Sequence, residues 1–210
     1  MHRLSQDAYQ TLIHDASVLE ADSHGPKVLL LTDQSFLKLF RRKRLLSSEA
    51  LYSYAMRFSD NARALTLLGI PAPEIVGVYR IEALQRTAVH YRGLPGATLR
   101  KAMGDADPYH RCELAGRFGM LLATLHERGV YFRSLHLGNV ILMPDGRLGL
   151  IDFADMSLQK RPLSTAKRGR NLKHIRRYEI DRSWLFGEHC ADVKRGYESI
   201  SKRKIDWAAA

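Results

Sequence analysis

Residues 131–142 read YFRSLHLGNVIL and residues 150–156 read LIDFADM, with the turn-forming residues Pro144, Asp145 and Gly146 between them. The apolar runs on either side of that turn predict a β-hairpin over NVILMPDGRLGLID (139–152),. The hairpin brings Asn139, just ahead of its first strand, next to Asp152, at the end of its second. A carboxylate at the end of an apolar strand is costly to bury unless something binds it. Asp152 and Asn139 are therefore candidate oxygen ligands for one divalent ion, and magnesium prefers such hard donors. Asn before a strand is also a common turn former, so Asn139 has a purely structural reading too.

Working outward, DPYHRCELAGRFGMLLATLHERG (107–129) predicts a helix. Asp107 suits its cap, Pro108 its first position, and Leu114, Phe118, Leu121, Leu122 and Leu125 form a stripe that ends before Gly129. Toward the N-terminus the first forty residues read as strands. ASVLEA (16–21) and KVLLLTD (27–33) flank a turn at DSHGP, and SFLKLF (35–40) alternates Phe36, Lys38 and Phe40 against Leu37 and Leu39,. The period then changes: Leu51, Ala55, Phe58, Ala62 and Leu65 approximate a helical stripe, followed by two apolar stretches at 74–81 and 86–91,. RGLPGATLRKAM (92–103) reads as a linker entering a short helix, which places a boundary after residue 91. Beyond about residue 179 the chain reads as helical,.

The 210 residues and 45% hydrophobic content suit one domain or two small lobes,. A formal charge of +11, from 33 Lys and Arg against 22 Asp and Glu, predicts attraction to phosphates, nucleic acid or an anionic membrane surface,. Residues 160–177, KRPLSTAKRGRNLKHIRR, hold eight Lys or Arg and no acid, and read as a basic surface. A merely solvated face is one reading. Docking onto phosphorylated lipid headgroups or a phosphorylated saccharide is another, with each cation contributing on the order of 1 kcal/mol near anionic lipid. The tract lacks interleaved aromatics, which disfavours nucleic acid.

Cys112 and Cys190 lie far apart with no CxxC pair, which suits a reducing compartment and carries no metal signature,. The N-terminus has no apolar stretch of the signal-peptide kind, and no run approaches the roughly 18 apolar residues of a membrane span. The expectation is a cytoplasmic protein, with any membrane contact peripheral on the inner face of the inner membrane.

Together FRSLHLGN (132–139) and DFAD (152–155) resemble the catalytic loop and metal-binding segment of the protein-kinase-like superfamily. They are closest to aminoglycoside phosphotransferases and lipopolysaccharide core kinases, whose loop reads His, Gly, Asp, Leu, His, Pro, Gly, Asn. LLGIPAPEIVGVYR (67–80) and VHYRGLPGATLR (89–100) resemble the approach to the hinge of those enzymes. The whole chain is similar to the bacterial toluene tolerance family, grouped with those kinases. The resemblance implies an α+β, minimal two-lobe kinase-like fold, with a sheet-rich N-lobe at 1–91 and a mostly helical C-lobe at 92–210. It implies ATP and magnesium as cofactors and a lipopolysaccharide core sugar, or another anionic saccharide, as acceptor.

Position by position, the resemblance makes Lys38 the strand lysine over the nucleotide phosphates and Asn139 and Asp152 the metal ligands. Residues 91–96, beginning with Tyr91, become the adenine hinge. Gly138 lets the backbone turn beneath the site, and His136, a candidate catalytic residue together with Ser134, takes either a structural or substrate-side role or that of a base. By residue type alone Lys38 also fits a solvated strand face.

Three departures stand out. Ser134 occupies the place of the catalytic aspartate, and Phe132, which fits core packing, that of the first histidine; a serine hydroxyl orients an acceptor but is a poor base at neutral pH. The nucleotide-covering turn, EADSHGPKV, holds only Gly25. The partner expected for Lys38 falls at Phe58, near Asp60 and Asn61, while Glu49 lies near the helix start. Asp155 reads as a helix cap or a second ion ligand, Asp145 as a turn residue and Glu127 as ordinary surface. Two functions stay open: a phosphotransferase, or a pseudokinase scaffold in envelope assembly.

Overall fold

The computed structural model describes residues 1–41 and 52–207. Glu49 and Leu51 lie outside the described residues. The fold is α+β, with mixed sheet and helical regions. It divides into two compact units, Met1–Leu94 and Pro95–Ala210.

The first unit is built on a six-stranded sheet. Its strands are β1 (His2–Leu4), β2 (Ser17–Asp22), β3 (Gly25–Leu30), β4 (Phe36–Arg41), β5 (Glu74–Ile81) and β6 (Arg86–Arg92), in the order β1-β5-β6-β4-β3-β2. Among the described strands only β1 pairs in parallel, with β5. The alternation read in SFLKLF appears in the structure, with Leu37 and Leu39 buried beside Leu29, Leu31, Ile81 and Ala88. Helix α1 (Gln6–Leu12), inside the stretch expected to be strand, covers that face through Tyr9 and Leu12. Ser5 begins it by accepting from the Ala8 amide at 3.1 Å, and Asp7 complements the first-turn dipole,. Packing of Tyr9 onto the sheet stabilises a helix too short to persist alone.

Helix α2 (Tyr54–Leu67) buries Ala55, Phe58, Ala62 and Leu65, the expected stripe, and packs on β5 and β6. Phe58 meets Phe40 and Tyr91, with centroids 6.3 and 5.3 Å apart, and Phe36 stacks on Tyr91 at 5.4 Å.

The second unit starts with β7 (Ala97–Thr98) and α3 (Leu99–Asp105), followed by the long helix α4 (Pro108–Glu127). Asp107 caps α4 through the His110 amide at 2.9 Å, and Gly129, at φ +74°, ends it,. After β8 (Val130–Tyr131) come the hairpin strands β9 (Val140–Leu142) and β10 (Leu148–Leu150), then β11 (Ser157–Leu158). The C-terminal part holds α5 (Thr165–Ile175), α6 (Glu179–Ser183), a π-helical turn at Trp184–Glu188 and α7 (Cys190–Ile200). No helix among the described residues is long and apolar enough to cross a membrane.

Two short ladders position the loop at 132–139. β8 pairs with β11, and β9 pairs with β10 and β7. The loop therefore enters from one ladder and leaves into the other, while the segment 151–156 runs back between the same two ladders. The segments are held side by side at both ends.

The basic tract is not wholly a surface. Arg168 is fully buried and donates to the Leu163 carbonyl, the Tyr197 and Ser201 hydroxyls and the Glu127 carboxylate at 2.6–3.0 Å. Glu127 is consequently no ordinary surface residue. Burial pushes its carboxyl up, but hydrogen bonds from Ser201 and Arg168 outweigh that and hold it low,.

Candidate functional site

Ser134, His136, Asn139 and Asp152 come together in the second unit. Asn139 is 8% exposed, and its Nδ2 donates to the Ser134 carbonyl at 2.9 Å. Its own backbone carbonyl accepts from the Ile151 amide at 3.0 Å, which ties the loop to the residue before Asp152. With the amide end of Asn139 anchored, its Oδ1 is the end suited to a hard cation. Asp152 has φ +53°, in the left-handed region that Asp tolerates better than most residues,. It is exposed rather than buried, so the cost of burying a charge does not explain it. Backbone held in that region concentrates at functional sites.

Ser134 is not an isolated hydroxyl. Its Oγ donates to Asp155 Oδ2 at 2.6 Å, a short, charge-assisted bond,. The other oxygen of Asp155, Oδ1, is buried without a hydrogen-bond partner among the described residues. Asp155 sits in a turn closed by the Met156 amide on the Phe153 carbonyl at 3.0 Å, and it caps no helix. Around the pair lies a polar hollow of about 100 Å³, lined by Arg133, Ser134, Asp155, His174, Arg177 and Tyr178. Burial and the two arginines hold the His174 imidazole below its ordinary pKa,.

His136 supports the loop. Its Nδ1 accepts from the Gly138 amide at 3.0 Å and lies 3.2 Å from an Arg100 nitrogen, so that lone pair is taken up. Arg100 is held by both oxygens of the fully buried Asp181, at 2.8 and 3.1 Å, and Asp181 also accepts from the Leu137 amide at 2.7 Å. Burial and the Arg100 guanidinium hold the His136 pKa below its ordinary value,. This geometry ties the His136 ring to the loop backbone and to Arg100. Gly138 serves by its lack of a side chain and not by φ, because a Cβ there would lie 2.8 Å from Arg100 Nη1 and 3.0 Å from the His136 ring. Phe132 is fully buried, as expected for core packing.

Lys38 and Tyr91 belong to the first unit. Lys38 is half-buried on β4, with Nζ 5.9 Å from the centroid of Phe40. Tyr91 packs its ring between Phe36 and Phe58.

A second cluster was not legible. Cys112 Sγ lies 3.5 Å from His189 Nδ1, which lies 3.7 Å from Asp192 Oδ2. His189 and Asp192 share the start of α7, but Cys112 is 77 residues earlier than His189, so only the fold joins them. Both cysteines are unpaired. Neither family models nor curated proteins gave a match to this chain.

Proposed function

We propose that the protein is a phosphotransferase with a minimal two-lobe kinase-like architecture, using ATP and magnesium to phosphorylate a hydroxyl of an anionic saccharide such as lipopolysaccharide core. The observation that carries this reading is the Ser134–Asp155 hydrogen bond. The loop lacks a carboxylate at 134, and Asp155 supplies one 2.6 Å away. Ser134 Oγ, with its proton directed at Asp155, is left with lone pairs to accept from an acceptor hydroxyl. As the acceptor oxygen bonds to the γ-phosphorus of ATP and the bond to the ADP oxygen breaks, the acceptor proton would pass to Ser134 and that of Ser134 to Asp155, so the carboxylate ends protonated and ADP leaves.

Asn139 and Asp152 offer hard oxygen donors that fit magnesium, which when bound neutralises phosphate charge during transfer. Arg133 and Arg177, both exposed beside the Ser134 hollow, suit an acceptor that carries phosphate,. Lys38 is assigned the phosphate contact and Tyr91 the start of the hinge by resemblance. Placement at the inner membrane face follows from the same acceptor.

One observation favours a pseudokinase scaffold instead. The turn between β2 and β3, where a glycine-rich nucleotide cover is expected, is pinned by Arg86, which donates to the Pro26 carbonyl at 2.6 Å and to the His24 carbonyl. Calorimetry with ATP, with and without magnesium, followed by transfer onto core oligosaccharide, separates the two. Expected are magnesium-dependent binding, loss of turnover in Asp152→Ala, and a 10²–10⁴-fold fall in Asp155→Asn, roughly the scale of a lost general base, without loss of melting temperature. A wild type that binds no nucleotide sinks the enzyme reading.

A further inference from the structure

Helices α4 and α7 approach at backbone contact. A Cβ on Gly119 would lie 2.1 Å from the Val193 carbonyl oxygen, and one on Gly196 would lie 2.0 Å from that of Gly116. Cys112 is one helical turn from Gly116 and Asp192 one turn from Gly196, so the crossing fixes where both side chains start. His189 enters from the residue just before α7.

The three ligand atoms, one from each side chain, all lie within 4.8 Å of one another. A tetrahedral zinc ion, with bonds of about 2.3 Å to sulfur and 2.0–2.2 Å to nitrogen and oxygen, separates its ligands by about 3.3–3.6 Å. For the Cys112–His189 and His189–Asp192 pairs the observed 3.5 and 3.7 Å require contraction of a few tenths of an ångström, and the Cys112–Asp192 pair starts within 4.8 Å.

A Cys-His-Asp catalytic relay does not fit. In a relay the histidine meets the nucleophile through one nitrogen and the carboxylate through the other. Here both approach Nδ1.

The surroundings match what a metal-bound histidine and carboxylate need. His189 is 8% exposed, and its Nε2 is buried without a hydrogen-bond partner among the described residues, facing the Glu188 carboxylate at 4.0 Å. A cation on Nδ1 fixes the proton on Nε2, toward that carboxylate. Asp192 Oδ1 is steadied by Arg195 at 2.9 Å. A cavity of about 450 Å³, lined among others by Tyr109, Cys112, Glu113, Met120 and Asp192, opens beside the cluster.

We propose that Cys112, His189 and Asp192 bind a zinc(II)-class cation that clasps the start of α7 to α4 and leaves a fourth coordination position open to this cavity. Thiolate and imidazole select such an ion over magnesium. Binding forms the metal–sulfur bond and releases the thiol proton to solvent.

Cobalt(II) titration of the full chain, reduced and metal-free, tests this. Expected is a thiolate-to-cobalt charge-transfer band that zinc removes and excess magnesium does not, present in Cys190→Ala and absent in Cys112→Ala. Zinc at a hundredfold over its Kd should raise the melting temperature by roughly 5–10 °C, and Asp192→Asn should lose most of that rise. In the wild type, zinc should protect Cys112 but not Cys190 from alkylation. No cobalt–thiolate band, a band that survives Cys112→Ala, or alkylation of Cys112 indifferent to zinc would each overturn the proposal.

Discussion

Two polar clusters of the second unit, both reaching the loop at 132–139, differ in one respect. The first runs from Glu127 through Arg168, Tyr197 and His126 to Asn171, which donates to the Phe132 carbonyl at 2.8 Å. Arg168, His126 and Asn171 are fully buried, and every buried side-chain polar atom of the chain of contacts has a partner. The second is the Ser134–Asp155 hollow, where a carboxylate oxygen has no hydrogen-bond partner among the described residues and two arginines are exposed. A satisfied network rigidifies what it touches, whereas an unsatisfied one is poised for something else. The loop thus rests on a closed polar support and presents an open polar face.

Breaking the closed support should have the largest effect. Arg168→Ala leaves Glu127, Tyr197 and Ser201 without their shared donor, and removing one partner of a buried charged network typically costs about 3–5 kcal/mol. Urea denaturation should show that loss, and a change under 1 kcal/mol would mean the network is not the support inferred here.

Acid should attack the same network next. Asn171 Oδ1 accepts from His126 Nε2 while Nδ1 accepts from the Tyr197 hydroxyl, an arrangement that requires a neutral ring. Burial lowers the His126 pKa to about 4, against the raising influence of Asn171. The unfolded chain, with an ordinary histidine pKa of about 6.5, binds more protons between those values, so stability falls as pH drops through that window. The expected loss is on the order of 3 kcal/mol by pH 4. His126→Gln should flatten the urea midpoint between pH 6.5 and 4; an unchanged slope would remove His126 as its cause.

What could be read from the residues divides along the same line. The hairpin at 140–150 and helix α4 were legible because their signals are local: a turn triplet, a cap, a proline and a stripe of apolar residues. The elements that decide the site's chemistry are not local. Ser134 and Asp155 are 21 positions apart, and nothing in DFAD distinguishes a carboxylate that accepts from a serine from one that caps a helix. Arg168 lies 41 positions from Glu127, and an arginine in a basic tract looks exposed until its partners are known. Helix α1 carries a local signal too, Ser5 with Tyr9 and Leu12 at helical spacing, but seven residues make it a short one beside the strand patterns that follow,.

The open face calls for the smallest and most selective change. Arg177 is exposed and lines the hollow. Arg170 is exposed on α5 but lines a different cavity, with Thr165, Lys173 and Asp206, which makes it a matched control. Replacing either by alanine should leave stability within about 0.5 kcal/mol, as for surface positions generally. Only Arg177→Ala should weaken binding of inorganic phosphate at the hollow, roughly tenfold for one charge-assisted contact, and reduce the salt dependence of that binding. Chemical shifts of Ser134 and Tyr178 under phosphate titration distinguish the two. Equal weakening by both variants would mean that net positive charge, and not the geometry around Ser134, draws the anion, and the open face would then be no more than a part of the basic surface.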